Sequence, residues 1–200
     1  MEHFVETPVS DEEVKSFVAG DILYLSGRIF TARDMAHKRM LVEGVDFSTE
    51  GLALYHCGPL VQENDEGWRV VSAGPTTSPR MDIFEADFIE RFGIRIIIGK
   101  GGMGDETRKA LQKHGAIYAV FTGGAGALAA HMLEKVHGVY FQELGMAEAV
   151  WLFEANRFGP LVVAMDCHGG SLFEEVSNKS RDSAARLMDG LETRDRTPNL

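Results

Sequence analysis

The stretch Gly74-Pro75-Thr76-Thr77-Ser78-Pro79-Arg80-Met81-Asp82 joins an apolar run, residues 68–73, to an amphipathic segment, residues 81–92. The run predicts a strand and the segment predicts a helix. Ser78 is a good N-cap, and the proline after it suits the first helical position. Arg80 is therefore expected at the positive end of a helix, where the added cation makes an anion site. An ordinary turn with a solvated arginine is the alternative interpretation.

Two more turns of this kind follow. Residues 94–98 are typical of a strand buried on both faces, and a glycine-rich loop and a helix over 105–114 come after them. Residues 116–121 predict another strand, which is followed by a loop and a helix over 127–136. Residues 68–136 thus contain strand, loop and helix three times. This order predicts parallel strands joined by right-handed crossovers.

The remaining segments extend the pattern. Further strands are predicted over 21–30, 52–55, 139–144 and 161–165, and a further helix over 180–191. Ser10 is the predicted cap of a short helix, because residues 10–13 form a capping box. Residues 149–155 fit helix or strand, and Arg157-Phe158-Gly159-Pro160 favours a hairpin there. We predict an α/β fold over residues 1–200, one domain with a largely parallel central sheet and flanking helices. Its core spans 10–178, and residues 179–200 form a C-terminal helix and a frayed tail.

The composition, 44% hydrophobic and 25% charged, is that of a soluble globular protein. The net charge of −10 argues against a surface for nucleic acid or an anionic membrane. No apolar run has the length of a membrane span, and the N-terminus lacks the pattern of a signal peptide. Cys57 and Cys167 are therefore expected to be reduced, in the cytoplasm.

Three turns between strands and helices carry a cation at or just before the helix. Thr31 is the predicted cap of a helix with Arg33 in its first turn, and Lys100 lies in the glycine-rich loop, so both resemble Arg80 in position. Ligands collect at the carboxyl ends of strands in such sheets, so we expect the three cations to bind a small dianion together. Arginine holds a carboxylate through two parallel bonds, and lysine acts as a mobile point charge. A solvated basic face that includes His37-Lys38-Arg39 is the alternative for Arg33.

The glycine-rich loop allows a second functional interpretation. Gly99, Gly101 and Gly104 match G-x-G-x-x-G between a strand and a helix, which is the pattern of an NAD(P)-binding oxidoreductase domain. The acidic residue that would bind the ribose should end the next strand, about 20 residues on. Residues 119–122 offer no such acid. We therefore keep the dinucleotide site as the alternative.

Four residues suggest a metal site, namely His56, Cys57, Cys167 and His168. The two pairs lie far apart in the chain, and neither has zinc-finger spacing. Two cysteines also cannot supply the thiolates of an ordinary iron–sulfur cluster. We predict that this chain holds neither a metal nor a cofactor.

Several motifs, in the same order, resemble the iron–sulfur class I fumarate hydratases, a family shared with L(+)-tartrate dehydratase. They are residues 29–39, 57–59, 72–82, 98–103, 122–125 and 143–146. The likeness runs from about Gly20 to Phe173. It is to the β subunit of the two-subunit form, which corresponds to the C-terminal domain of single-chain relatives. The resemblance implies a swivelling β/β/α domain.

The resemblance also implies a hydro-lyase that reversibly hydrates a small dicarboxylate, with fumarate to malate favoured and tartrate or methylated fumarates left open. It implies a 4Fe-4S cluster held by three cysteines of a separate α subunit, in a homodimer or α2β2 assembly. Carried over, Arg33, Arg80 and Lys100 bind the substrate carboxylates. Thr76, assisted by Arg80, is the catalytic residue at the carbon that loses or gains a proton. A non-catalytic, anion-binding assembly subunit is the third interpretation.

Overall fold

The structure is a computed structural model that describes residues 1–65 and 67–195. Its strands are β1 (Glu2–Thr7), β2 (Ile22–Thr31), β3 (Ala53–Tyr55), β4 (Leu60–Asn64), β5 (Gly67–Ser72), β6 (Ile96–Gly99), β7 (Ile117–Val120), β8 (Leu133–Tyr140) and β9 (Val150–Met165). Its α-helices are α1 (Asp11–Val14), α2 (Asp34–Glu43), α3 (Asp82–Phe92), α4 (Asp105–His114), α5 (Gly126–His131) and α6 (Leu172–Asp195). Short 3₁₀ turns lie at Ser78–Arg80 and Gln142–Leu144.

Five strands close into a barrel. β2, β3, β6 and β7 are parallel neighbours in that order, and β9 is antiparallel to both β7 and β2, which completes the ring. β1 adds to β2 in parallel, and β8 adds to β9 in the antiparallel sense. The expected α/β class is correct. The expected largely parallel sheet with flanking helices is corrected to a mixed, closed sheet, because β9 pairs along both of its sides.

β9 is one 16-residue strand where the sequence favours a hairpin. Arg157 has a φ of 50°, and Phe158 pairs with Leu25 of β2 between two register shifts. The residues that signal a turn are thus accommodated as bulges, which bend a strand without ending it. The strand pairs with β8 near its start, with β7 near its end, and with β2 between them.

The triple pattern over 68–136 is only partly correct. β5 confirms the predicted strand, and its antiparallel pairing with β4 confirms the hairpin that the polar sequence of residues 63–67 predicts. This pair forms a separate two-stranded sheet and is not part of the predicted parallel one. β6 and β7 are parallel neighbours as predicted. The last helix is shorter than predicted and ends at His131, because the chain then enters β8, where Val136 and Val139 pair with β9.

Ser10 caps α1 as predicted, since its hydroxyl accepts a backbone N–H of the first turn. The other two predicted caps are wrong. Thr31 is the last residue of β2 and its hydroxyl accepts a backbone N–H of β9, so α2 has Arg33 at its N-cap position. Ser78 lies in the 3₁₀ turn before α3, and its hydroxyl is buried against other partners.

α6 begins earlier and runs further than the predicted helix over 180–191. The predicted frayed tail, residues 192–200, is therefore helical as far as Asp195, and residues 196–200 lie outside the described residues. The segment before Ser10, to which the sequence assigned no element, forms β1. None of the described helices combines the length and the apolar character needed to cross a membrane.

Alternation along the strands divides the core into two clusters. Ile96 and Ile98 of β6 belong to the first, together with residues such as Phe158 of β9. Ile97 belongs to the second, which includes Phe88 of α3. Successive side chains of a strand point to opposite faces, so β6 packs on both sides, as its apolar run predicts. This packing fixes the carboxyl ends of the parallel strands, where the candidate site lies.

Candidate active site

The carboxyl ends of β2, β3 and β6 meet at one end of the barrel, and the loop of residues 73–81 enters between two of them. β3 follows β6 as far as His56, after which the two chains separate. Thr76 N then donates to His56 O at 2.8 Å, and Ser78 N donates to Lys100 O at 2.9 Å. The loop is thus held on both sides by backbone hydrogen bonds.

The structure brings the three predicted cations to this end of the barrel. Arg33 Nε lies 3.2 Å from Glu148 Oε1, and Arg80 Nη2 lies 3.3 Å from Asp34 Oδ2, next in sequence to Arg33. Lys100 is exposed and makes no ion pair with any described residue, while its backbone pairs with the loop that carries Arg80. The two arginines therefore have carboxylate partners here, and a substrate carboxylate would have to compete with them. Joint substrate binding stays a prediction.

Thr76, to which the resemblance assigns the proton exchange, lies beside Arg80 in the loop of residues 73–81. Its hydroxyl Oγ1 accepts a hydrogen bond from Arg80 Nη2 at 3.0 Å, and its side chain is partly exposed. A cation that donates to a hydroxyl favours the deprotonated form over the neutral one. The contact therefore gives Thr76 the electrostatic support that proton exchange needs, and its catalytic role remains a prediction.

Below the loop lies a fully buried cluster of His37, His56 and Glu85. His56 Nε2 is 3.1 Å and His37 Nε2 is 3.6 Å from Glu85 Oε2, and each residue offers one potential metal ligand within 4.8 Å of the others. Neither carboxylate oxygen has a directed hydrogen bond from a described residue, so the contact is electrostatic. The interpretation of His37 as part of a solvated basic face is wrong, because its side chain is 0% exposed.

The protonation of the cluster depends on the balance between burial, which disfavours charged forms, and the opposing charges of its members. Burial lowers the pKa of His56, and burial would by itself raise the pKa of Glu85. The opposing charge on His56, together with the two neighbouring imidazoles, outweighs this and lowers the pKa of Glu85 to about 2. The two groups compete for one proton, and we assign the negative charge to Glu85, because it has an imidazole on each side.

Glu85 and Ser78 are the site residues that the sequence interpretation missed. A signal for Glu85 exists: it shares one face of α3 with the buried residues Met81, Phe88 and Ile89, spaced three or four positions away. A carboxylate on the apolar face of a helix indicates a buried partner. The burial of Ser78 had no such signal, because its position suits a cap.

Comparison with known proteins places the chain in a family. A family profile described as Fumarase C-terminus matches residues 3–176. The chain belongs to the fumarase C-terminal family. The match begins well before Gly20, where the motif-based likeness starts, and it includes β1.

Relatives within the fumarase C-terminal family carry the names of hydro-lyases. The L(+)-tartrate dehydratase subunit beta of Escherichia coli strain K12 is 40% identical over 177 residues, which cover 88% of each chain. A Methanocaldococcus jannaschii protein, provisionally given the same subunit name, is 45% identical over 90% of this chain and 95% of its own. A Geobacillus stearothermophilus protein provisionally named fumarate hydratase class I is 37% identical over 92% of this chain, but over only 36% of its own length. The chain is therefore a member of a hydro-lyase family.

The glycines of the G-x-G-x-x-G match have structural reasons in this fold. A Cβ on Gly99 would lie 1.8 Å from Ser78 Oγ, and one on Gly104 would lie 2.4 Å from Asp82 Oδ2. Gly101 has a φ of +85°, which favours glycine. Close packing and backbone conformation thus account for the glycine pattern without a dinucleotide.

The two cysteines are separate free thiols. Cys57 is fully buried after β3, and burial raises its pKa well above the ordinary value. Cys167 follows β9 and lies near Val14 of α1, and burial also raises its pKa. Raised thiol pKa values disfavour the thiolate form that binds metals. The two thiols of this chain are also fewer than the three or four that an ordinary iron–sulfur cluster takes.

Proposed function

We propose that the chain is the β subunit of a two-subunit hydro-lyase that reversibly hydrates a small dicarboxylate, with fumarate and malate as the first pair. The observation that carries this is the placement of Arg33, Arg80 and Lys100 at one barrel end, next to Thr76, in a chain of a hydro-lyase family. Three cations suit two carboxylates, since charge-assisted hydrogen bonds are the strong ones.

In this proposal the two substrate carboxylates are held by the cations while Thr76 handles the proton. Hydration places a hydroxyl group on one carbon of the double bond and a proton on its neighbour. Thr76 Oγ1 gives that proton in hydration and takes it in dehydration, with Arg80 stabilising the deprotonated oxygen. Lys100, the cation without an ion pair among the described residues, binds a carboxylate without first leaving a protein partner.

The iron–sulfur cluster of the resembled family would be held by three cysteines of a separate α subunit. This chain supplies only two thiols, and they follow different strands. When bound, such a cluster would supply a Lewis acid for the departing hydroxyl. Free thiols also support a reducing, cytoplasmic location. We propose an assembly containing both subunits, as a homodimer of pairs (α2β2).

Co-expression with the α subunit tests the proposal. The purified pair is assayed anaerobically for hydration of fumarate, of methylated fumarate and for dehydration of L(+)-tartrate, beside each subunit alone. We expect turnover by the pair and none by this chain alone. A pair that assembles, contains its cluster and converts none of the three would leave the assembly-subunit interpretation in its place. About four irons on this chain alone would contradict the division between subunits.

A further inference from the structure

The two histidines of the buried cluster of His37, His56 and Glu85 each make a hydrogen bond to a segment of the candidate site. His37 Nδ1 lies 2.9 Å from Arg33 O, and because a carbonyl only accepts, Nδ1 donates. His56 Nδ1 lies 2.9 Å from Ser78 Oγ, in the loop of residues 73–81. The Nε2 atoms of both rings are turned toward Glu85. The Glu85 carboxylate therefore contacts two imidazoles, one bonded to the backbone at Arg33 and the other to the loop at Ser78.

The second connection continues to Lys100. Its backbone N–H donates to Ser78 Oγ at 3.1 Å, and the same oxygen lies 2.9 Å from His56 Nδ1. The other ring nitrogen of His56, Nε2, lies 3.1 Å from Glu85 Oε2. The order hydroxyl, imidazole, carboxylate resembles a nucleophile with its base, but Ser78 is 0% exposed and cannot meet a substrate. Ser78 therefore does not act as a nucleophile, and its hydrogen bonds hold the backbone in place.

Gly99 gives independent support for this arrangement. A Cβ there would lie 1.8 Å from Ser78 Oγ and 3.1 Å from His56 Nδ1. Distances below 3.0 Å require atoms to move, so only glycine at this position lets the serine and the imidazole meet beside β6. The glycine at the end of β6 thus leaves the space that the contact between Ser78 and His56 occupies.

We propose that Glu85 is a positioning residue whose buried charge, acting through His37 and His56, fixes the backbone that presents Arg33 and Lys100 to the substrate. The inference rests on the proposed function, since it assumes that these cations bind carboxylates. A metal ion among the three ligand atoms is the competing explanation. A structural zinc site has four ligands, whereas this cluster offers three and is closed to solvent.

The test is Glu85→Gln in the enzyme co-expressed with its α subunit. Glutamine keeps the shape and removes the charge. We expect kcat/KM to fall by about 10²-fold, the effect of misplacing groups by about 1 Å. We also expect amide hydrogen exchange at Lys100 to quicken about ten-fold or more, because its hydrogen bond loses support. Glu90→Gln, on the exposed side of α3, is the matched control and should change neither value.

Ser78→Ala is the second variant, in case Glu85→Gln fails to fold. It removes the hydroxyl that bonds Lys100 N and should also quicken exchange there. Unchanged exchange at Lys100 in the folded variants would overturn the proposal, as would one zinc per wild-type chain that Glu85→Gln loses. If the wild-type pair has no hydro-lyase activity, the proposed function fails, but the exchange result still decides whether the cluster fixes this backbone.

Discussion

Replacing Arg80 by methionine is the sharpest test of the cationic site, because the structure separates its effects on stability and on binding. The side chain is 45% exposed and its partner Asp34 is 34% exposed. Ion pairs in such surroundings contribute about 0.2–1 kcal/mol. For a chain of this length that is a fall in Tm of about 2–4 °C at most. The fold should therefore survive the change.

The effect on substrate should be larger. If Arg80 binds a carboxylate, losing that charge-assisted contact costs about 1.5–3 kcal/mol. The corresponding fall in kcat/KM is about ten-fold to more than a hundred-fold. Lys100→Met should cost a similar amount. Arg80→Lys should recover only part of the loss, because a lysine lacks the planar fork that binds two oxygens at once.

Steady-state kinetics of the assembled enzyme, with thermal melts on the same samples, provide the measurement. Arg91→Met is the matched control: it removes an exposed arginine near the far end of α3, about 14 Å along the helix from Asp82. Near-normal kcat/KM for both Arg80→Met and Lys100→Met would refute the idea that these turns form one site. It would favour exposed charges on ordinary turns.

Three further predictions concern proton transfer by Thr76, dinucleotide binding at the glycine-rich loop, and stability at low pH. Thr76→Val should lower kcat by about 10²-fold or more with substrate affinity little changed, and an unaltered rate in steady-state assays would make its role structural. Calorimetric titration with NAD and NADP should show no binding at residues 99–104, and micromolar affinity would restore the dinucleotide interpretation. The pKa of Glu85 is lowered from 4.5 to about 2, so the folded state binds its proton less readily than the unfolded one. Its stabilisation is present above pH 4.5 and is lost as the pH falls toward 2; melts should show this loss in the wild type and much less of it in Glu85→Gln.

Local elements were predictable where short-range chemistry decides them. α4 has the predicted bounds, Asp105–His114, because the chain offers glycine just before it and a left-handed glycine, Gly115, just after it. β6 likewise follows from its apolar run. Long-range pairing was not predictable in this way. β9 contains a positive φ at Arg157 and a proline at 160, and only its partners on both sides make one strand of it.

The site shows the same division. Charge and position indicated Arg33, Arg80 and Lys100, and the structure places them at one end of the barrel. The carboxylates that hold two of them come from elsewhere in the chain: Glu148 precedes β9, and no pattern in the sequence links it to Arg33. The contact of the buried Ser78 side chain with His56 was not predictable either, because a serine at this position could equally cap a helix.

Closure of the barrel has a consequence for assembly. Strands with unpaired backbone groups invite pairing with other chains, and a closed ring offers none. In the described part of the main sheet, the outer sides of β1 and β8 are the two that remain open. Both carry charge, with Glu2 and Glu6 on one and Glu134 and Lys135 on the other, which discourages indiscriminate pairing. A partner that adds a strand to this sheet must therefore pair with β1 or β8. That contact would leave the carboxyl ends of β3 and β6 uncovered.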